Sequence, residues 1–174
     1  MQVLTTVTFV YVMREDRILA AINPGLPEAW SCWLTRRVVL ALLDSAADLV
    51  TKTSPLAQRA PAESRRELVA FEHEAAMAKT APRMTQTPAD ALNASASAAE
   101  LVERVSISSQ GEHFQLELRG INGGGAAGVL FRVGIQRVLQ MLQDEVTKAG
   151  WLAAPAKPQP AHAVEEPGPK PIRH

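Results

Sequence analysis

The chain has a single cysteine, Cys32. One thiol excludes an intramolecular disulfide framework and any cysteine-cluster zinc site, and it fits a reducing compartment. Aromatic residues make up only 5% of the 174 residues, so platforms for stacking bases are few. Charge of neither sign is in excess, with 18 Lys plus Arg against 18 Asp plus Glu. A nucleic-acid binder acting through its whole surface would show a basic surplus. No apolar run is long enough to span a bilayer. The apolar start, residues 1–13, has no Lys or Arg ahead of it, and its first charges, Arg14, Glu15 and Asp16, follow it. A secretory signal carries its charge in the opposite order. The β-branched residues of this stretch predict a first strand instead, and the protein is expected to be cytoplasmic and without membrane association.

Catalytic and metal constellations are also scarce. Of four histidines, His162 and His174 lie near the C-terminus and His113 sits beside Gly111 in an expected turn. His73 stands between Glu72 and Glu74 on an expected helix, where consecutive side chains point in different directions. The positions four residues away are Val69 and Met77, so no second metal ligand shares its face. Cys32 falls in an expected strand between Trp30 and Trp33 and reads as a buried, inert thiol. The run Gly123–Gly125 with Gly128 invites a phosphate-loop reading, but such loops open a helix and here a short strand follows. It reads as a flexible connector. No catalytic residue, metal ligand or cofactor is expected.

What the sequence does contain is a resemblance between its two ends. Arg37–Asp44 and Arg137–Asp144 agree at four of eight positions, at an offset of 100. Their surroundings also correspond. Strands are expected at 4–13, 17–22 and 29–34 before a helix at 36–50, with Thr35 as N-cap. Strands are expected again at 101–109, 114–121 and 129–133 before a helix at 135–149, with Gly150 at C′ and Trp151 folded back on the last turn. Alternation of Phe114, Leu116 and Leu118 with polar neighbours marks a half-buried strand. The first three strands are apolar on both faces and need cover on both sides, from the other unit, from a helical arm or from a partner chain.

The fold class read from these patterns is α+β: a duplicated β-β-β-α unit, forming either one antiparallel sheet or two packed small sheets with helices. One domain, 1–151, holds two units, 1–50 and 101–151. They are joined by a helical arm at 55–80, where Pro61 suits a first helical turn, and by a linker at 81–99. The tail, 152–174, holds six of the 12 prolines and too little apolar surface to offset its ordering entropy, so it is expected to be disordered.

The candidate partner-binding residues are Trp30, Trp33, Arg36 and Arg37. The tryptophans are three apart in a strand and therefore face opposite sides. The arginines occupy the first turn of a helix, where the dipole disfavours positive charge; a partner carboxylate or phosphate would explain them, as would pairing with Glu28 or an arm glutamate, or simple solvation. Trp and Arg also dominate interface hot spots. The leading expectation is a non-enzymatic protein–protein interaction protein: an adaptor, assembly factor or small subunit that binds a protein partner or forms a homodimer. The alternatives are a single-stranded nucleic-acid-binding module, and a small-ligand-binding protein or enzyme with a pocket between the repeats. Arg104, Glu117 and Arg119 are the first residues to consider in such a pocket.

Overall fold

Phe114, Leu116 and Leu118 are all at most 3% exposed on one face of a strand in the computed structural model, which describes residues 1–79 and 87–152. Around that strand the architecture is mixed α and β. The chain runs β1 (Gln2–Val3), β2 (Val7–Val12), β3 (Arg17–Ile22), β4 (Trp30–Leu34) and α1 (Arg36–Lys52). Then come α2 (Pro55–Arg59), a short 3-10 turn (Ala62–Ser64), α3 (Arg65–Lys79) and α4 (Ala89–Ala98). It closes with β5 (Glu100–Gln110), β6 (His113–Gly120), β7 (Gly125–Phe131) and α5 (Arg132–Lys148). Among the described residues no helix is long and apolar enough to cross a membrane. Residues 80–86, in the expected arm and linker, and residues 153–174 of the expected tail lie outside the described residues.

The strands form one sheet, in the order β1-β7-β6-β5-β4-β3-β2, rather than two packed sheets. It is not purely antiparallel. Hairpins pair antiparallel within each half, while β4 meets β5 and β7 meets β1 in parallel. β1 and β2 lie at opposite edges, yet only Leu4, Thr5 and Thr6 separate them. Four peptide steps span at most about 14 Å, whereas six interstrand spacings in a flat sheet would need about 29 Å. The sheet therefore has to curl until its edges approach. Of the first expected strand, at 4–13, residues 4–6 form the bend and β2 the strand, while β1 lies ahead of it.

Asn23 holds that bend. It is 2% exposed with φ of 48°, a left-handed conformation that asparagine tolerates better than most residues. Its Oδ1 accepts the N–H groups of Thr5 and Thr6, both at 3.0 Å, and its Nδ2 donates to the Val3 carbonyl at 2.7 Å. Three backbone groups that belong to neither edge ladder are thereby satisfied.

The inner face of the curled sheet packs on α1 and α5. Phe9, Ile18, Ala20, Cys32 and Leu34 share one core with Val39 of α1 and Leu142 and Val146 of α5. The outer face of the first three strands is also apolar: Leu19 is 2% exposed and Ala21 fully buried. Here the expected linker contributes structure of its own. Residues 89–98 form α4, which packs on β3 and β4 and accepts the Ser31 hydroxyl at the Ser95 carbonyl, 2.6 Å. The Thr8 and Thr87 hydroxyls meet at 2.9 Å just before it. An alanine-rich helix lies close because its side chains are small, and the expected cover on both sides is supplied from within the chain.

Helices α1 and α5 begin at residues 36 and 132 and end at 52 and 148, both pairs 96 apart. The eight-residue match at an offset of 100 is thus displaced by one helical turn from the register shared by the helix ends. A shift of four residues keeps the same face of a helix inward, which is why apolar matches recur there. At an offset of 96 a different match appears: Asp48-Leu-Val-Thr-Lys52 against Asp144-Glu-Val-Thr-Lys148, identical at four of five positions. Thr51 and Thr147 each donate to the carbonyl four residues back. Only α5 ends in the expected glycine motif, with Gly150 at φ 67° and the Trp151 N–H on the Val146 carbonyl. The glycine run is partly strand: β7 starts at Gly125, not at 129, and α5 starts at Arg132, not at 135.

Replacing Asn23 with Ala should cost about 3 kcal/mol, since it removes three hydrogen bonds and puts a Cβ residue without a local acceptor at positive φ. Urea denaturation at constant m-value measures this, and a loss below about 1 kcal/mol would mean the bend is held by something else.

Candidate functional site

The structure places the four candidate residues at separate posts. Trp30 and Trp33 do face opposite sides, Trp30 opposite Ile22 towards the core and Trp33 opposite Leu19 towards the outer face. Both are half-buried. The Trp30 indole N–H donates to Glu100 Oε1 at 2.8 Å, and Glu100 Oε2 accepts the Asn122 N–H at 2.6 Å. This carboxylate lies in a notch that only glycine allows: a Cβ at Gly120 or Gly124 would fall within 2.5 Å of it. Glu100 opens β5, so Trp30 ties the first half of the sheet to the turn between β6 and β7. Cys32, fully buried beside it, has its thiol pushed up to about 12, first by desolvation and then by the nearby Glu100 charge. A thiol held neutral is a poor nucleophile.

Arg36 is explained by the opposite helix. Its Nη2 donates to the Trp151 carbonyl just beyond α5, at 2.8 Å. At the other end Arg132, the first residue of α5, donates to the carbonyls of Val50, at 3.1 Å, and Thr53, and to Thr53 Oγ1 at 2.9 Å. Each helix thus starts with an arginine that caps the C-terminal end of the other, where the dipole favours a cation. Neither first turn carries an acidic residue, and Thr35 makes no side-chain cap bond although it occupies the N-cap position. Arg132 also lies over the Phe114 ring, 5.3 Å from its centroid. Arg37 is exposed, with no hydrogen bond or ion pair among the described residues.

A polar cluster surrounds the Arg36 end. Asp16, at φ 45° in the turn between β2 and β3, accepts the Trp151 indole N–H at 2.9 Å and the Tyr11 hydroxyl at 3.0 Å from one oxygen. The two rings meet edge to face, 5.8 Å apart. These bonds, and more weakly the Arg36 charge, hold the Asp16 carboxyl below its ordinary value. These bonds make the cluster a clasp between the β2–β3 turn and the end of α5.

Two surfaces stand out among the described residues. On the outer face of the sheet edge, Val3 is 72% exposed, Val129 67% and Phe131 66%. Val3 pairs with Ala127, and Val129 and Phe131 follow on the same face of β7 at two-residue steps. The neighbouring positions on β6 are Glu117, Gln115 and His113, whose ring lies 4.7 Å from Phe131. Glu117 pairs with Arg119 on this face, and Arg104 lies opposite Arg119 on β5. These three are remote from any pocket between the halves.

The second surface is a groove of about 440 Å³ between α1, α3 and α5. Leu40, Leu43 and Val50 of α1, Val69 of α3 and Leu139 of α5 give it an aliphatic lining. Its polar residues include Gln136, Arg66 and His73. The His73 Nε2 is 2.7 Å from Gln140 Oε1, and Gln140 donates onward to Asp144 at 2.8 Å. Gln136 is 3% exposed and its Nε2 has no partner. Sequence reasoning missed this groove because its walls come from three helices whose packing only the tertiary fold decides. Among the described residues no three His, Cys, Asp or Glu side chains are placed to share a metal ion.

Arg36→Met and Trp30→Phe should each lower stability by about 1–2 kcal/mol, by orphaning a buried acceptor, while Arg37→Met should leave it within about 0.5 kcal/mol. Chemical denaturation of the three variants tests this, and equal effects would contradict the assignment of Arg36 to a cap. Asp16 gives a pH signature. A depressed folded-state pKa contributes stability above the unfolded value, near 3.8, and that stability is lost as pH falls through the folded pKa. Asp16→Asn, which tolerates the same φ, should therefore be less stable than wild type at neutral pH. The gap should close in acid, and a pH-independent gap would exclude the charge as its source.

No family model, no curated protein and no solved structure matches this chain.

Proposed function

We propose that the protein is a non-enzymatic interaction protein, an adaptor, assembly factor or small subunit of a complex, acting in the cytoplasm. The observation that carries this reading is the strip Val3, Val129 and Phe131, each about two-thirds exposed or more, on one outer face of the sheet edge. Scattered exposed apolar residues are ordinary, but a contiguous apolar row rimmed by polar side chains marks an interaction surface. With aromatics scarce in this chain, a phenylalanine left in solvent costs solubility and is best explained by a partner that covers it. Trp30 and Arg36 support the fold from within, so the docking surface lies on β7 and not on β4. A second copy of this chain fits the strip, because an apolar row is self-complementary across a two-fold axis. The nucleic-acid reading requires an exposed aromatic on a basic surface, whereas the face beside Phe131 carries His113, Gln115 and the Glu117–Arg119 ion pair rather than a basic cluster.

The two halves also read as copies of one β-β-β-α unit. The supporting observations are the common 96-residue offset of α1 and α5, the DxVTK match at their ends, and the reciprocal arginines that start them. Each parallel pairing likewise joins the third strand of one half to the beginning of the other half's first strand.

Phe131→Glu should weaken association by at least about tenfold, as expected for a hot-spot side chain, without altering stability. Sedimentation velocity of wild type and variant measures self-association, and affinity capture at matched expression compares stoichiometric partners. A wild-type monomer whose partners are all retained by the variant would overturn the reading.

A further inference from the structure

The groove between α1, α3 and α5 lies on the helical side of the molecule and owes nothing to the apolar strip on β7. Its volume, about 440 Å³, is that of a small-molecule site and too small for a folded partner element. Its lining is largely aliphatic, which calls for an aliphatic ligand body. Its polar residues are not balanced. Gln136 is almost wholly buried, yet its amide nitrogen has no acceptor. A buried donor left unmade is destabilising by itself, and such groups in native proteins call for a partner that completes them. Arg66, exposed at the rim of the groove on α3, has no counter-charge among the described residues. The buried amide asks for an acceptor, and the nearby guanidinium favours one that carries negative charge. The one carboxylate in the lining, Asp44, stands on α1, and Glu72 of α3, whose Oε2 is buried without a partner, is not part of the lining, so an acidic head group belongs beside Gln136 and Arg66. His73 is already engaged with Gln140.

We propose that this groove binds a small aliphatic carboxylate. The hydrocarbon chain lies along Leu40, Leu43, Val50 and Leu139, and the carboxylate accepts from the Gln136 amide and faces the Arg66 guanidinium. The ligand class follows from the two complementary demands of the site, apolar walls and an unmatched donor with an unmatched cation.

Isothermal titration of the full-length protein with decanoate tests this, with decyltrimethylammonium as the matched cation. Decanoate should bind saturably with a stoichiometry of one, and the cation should bind at least about tenfold more weakly. Arg66→Gln and Gln136→Leu should each weaken decanoate about tenfold. Ala47 lines the groove and is exposed, so Ala47→Trp fills it without burdening the core and should abolish binding. Circular dichroism confirms that each variant folds. Phe131→Glu should bind decanoate like wild type, which separates this site from the docking strip. Equal affinity for decanoate and the cation would overturn the carboxylate assignment. No binding of either, or binding that survives Ala47→Trp, would overturn the site.

Discussion

Residues 4–6 carry the chain from one edge of the sheet to the other, and the rest of the fold is built around that crossing. A short segment that must leave one ladder and enter another exposes backbone groups that neither ladder satisfies. Asn23 meets three of them with one side chain, from a position whose left-handed φ aims the amide at the bend. Once the edges are drawn together the sheet has an inside, and that inside is just large enough for one helix from each half. The tight constraint is therefore polar and local, while the apolar core fills the space it defines. Leu4, 7% exposed and packed against Gly128, shows how closely the two edges meet there.

The helices are coupled by charge as well as by packing. A helix that opens with arginine is unfavourable alone, because its first turn already carries partial positive charge. The same arginine becomes favourable when the antiparallel neighbour presents its unsatisfied carbonyls at the same end. Arg36 and Arg132 solve the problem reciprocally, so neither helix end is stable without the other. Glu145 continues the pattern, since its Oε2 accepts the Tyr11 N–H of the edge strand β2 at 2.7 Å. An edge strand capped by a side chain is one that another chain cannot easily extend. Association through β2 is discouraged, and the apolar strip on β7 is left without such protection.

Much of this fold was legible in the sequence. Period-two alternation placed β6, helical stripes placed α1 and α5, and Gly150 placed the end of α5, because each depends on neighbours in the chain. The proposed duplication was read from the Arg37–Asp44 match, and one helical turn of slip preserves a helix's buried face, so sequence alone fixes no register. Strand pairing across the halves was not legible, since parallel pairing of β4 with β5 involves only two residue pairs. Nor was α4, whose run of Ala and Ser lacks the apolar stripe by which helices are recognised. It is a helix because small side chains let it sit close on β3 and β4. Two of the four candidate residues are engaged within the chain. Tryptophan and arginine recruit partners at interfaces through their polar ends, and in this chain those of Trp30 and Arg36 meet Glu100 and Trp151.

That outcome bears on where function can reside. Polar groups that a sequence reader would assign to a partner are consumed by the contacts that close the sheet and cap the helices. What is left over is more informative than what is conspicuous. Among the described residues Arg66 has no ion pair, Gln136 has a buried donor with nothing to bind, and β7 keeps an apolar row in water. The last two cost stability or solubility in isolation. A fold that satisfies its bend, its helix ends and its edge strand with single well-placed side chains has the means to satisfy these as well. Their persistence at two separate surfaces is the physical argument behind the proposed protein partner and the proposed small ligand.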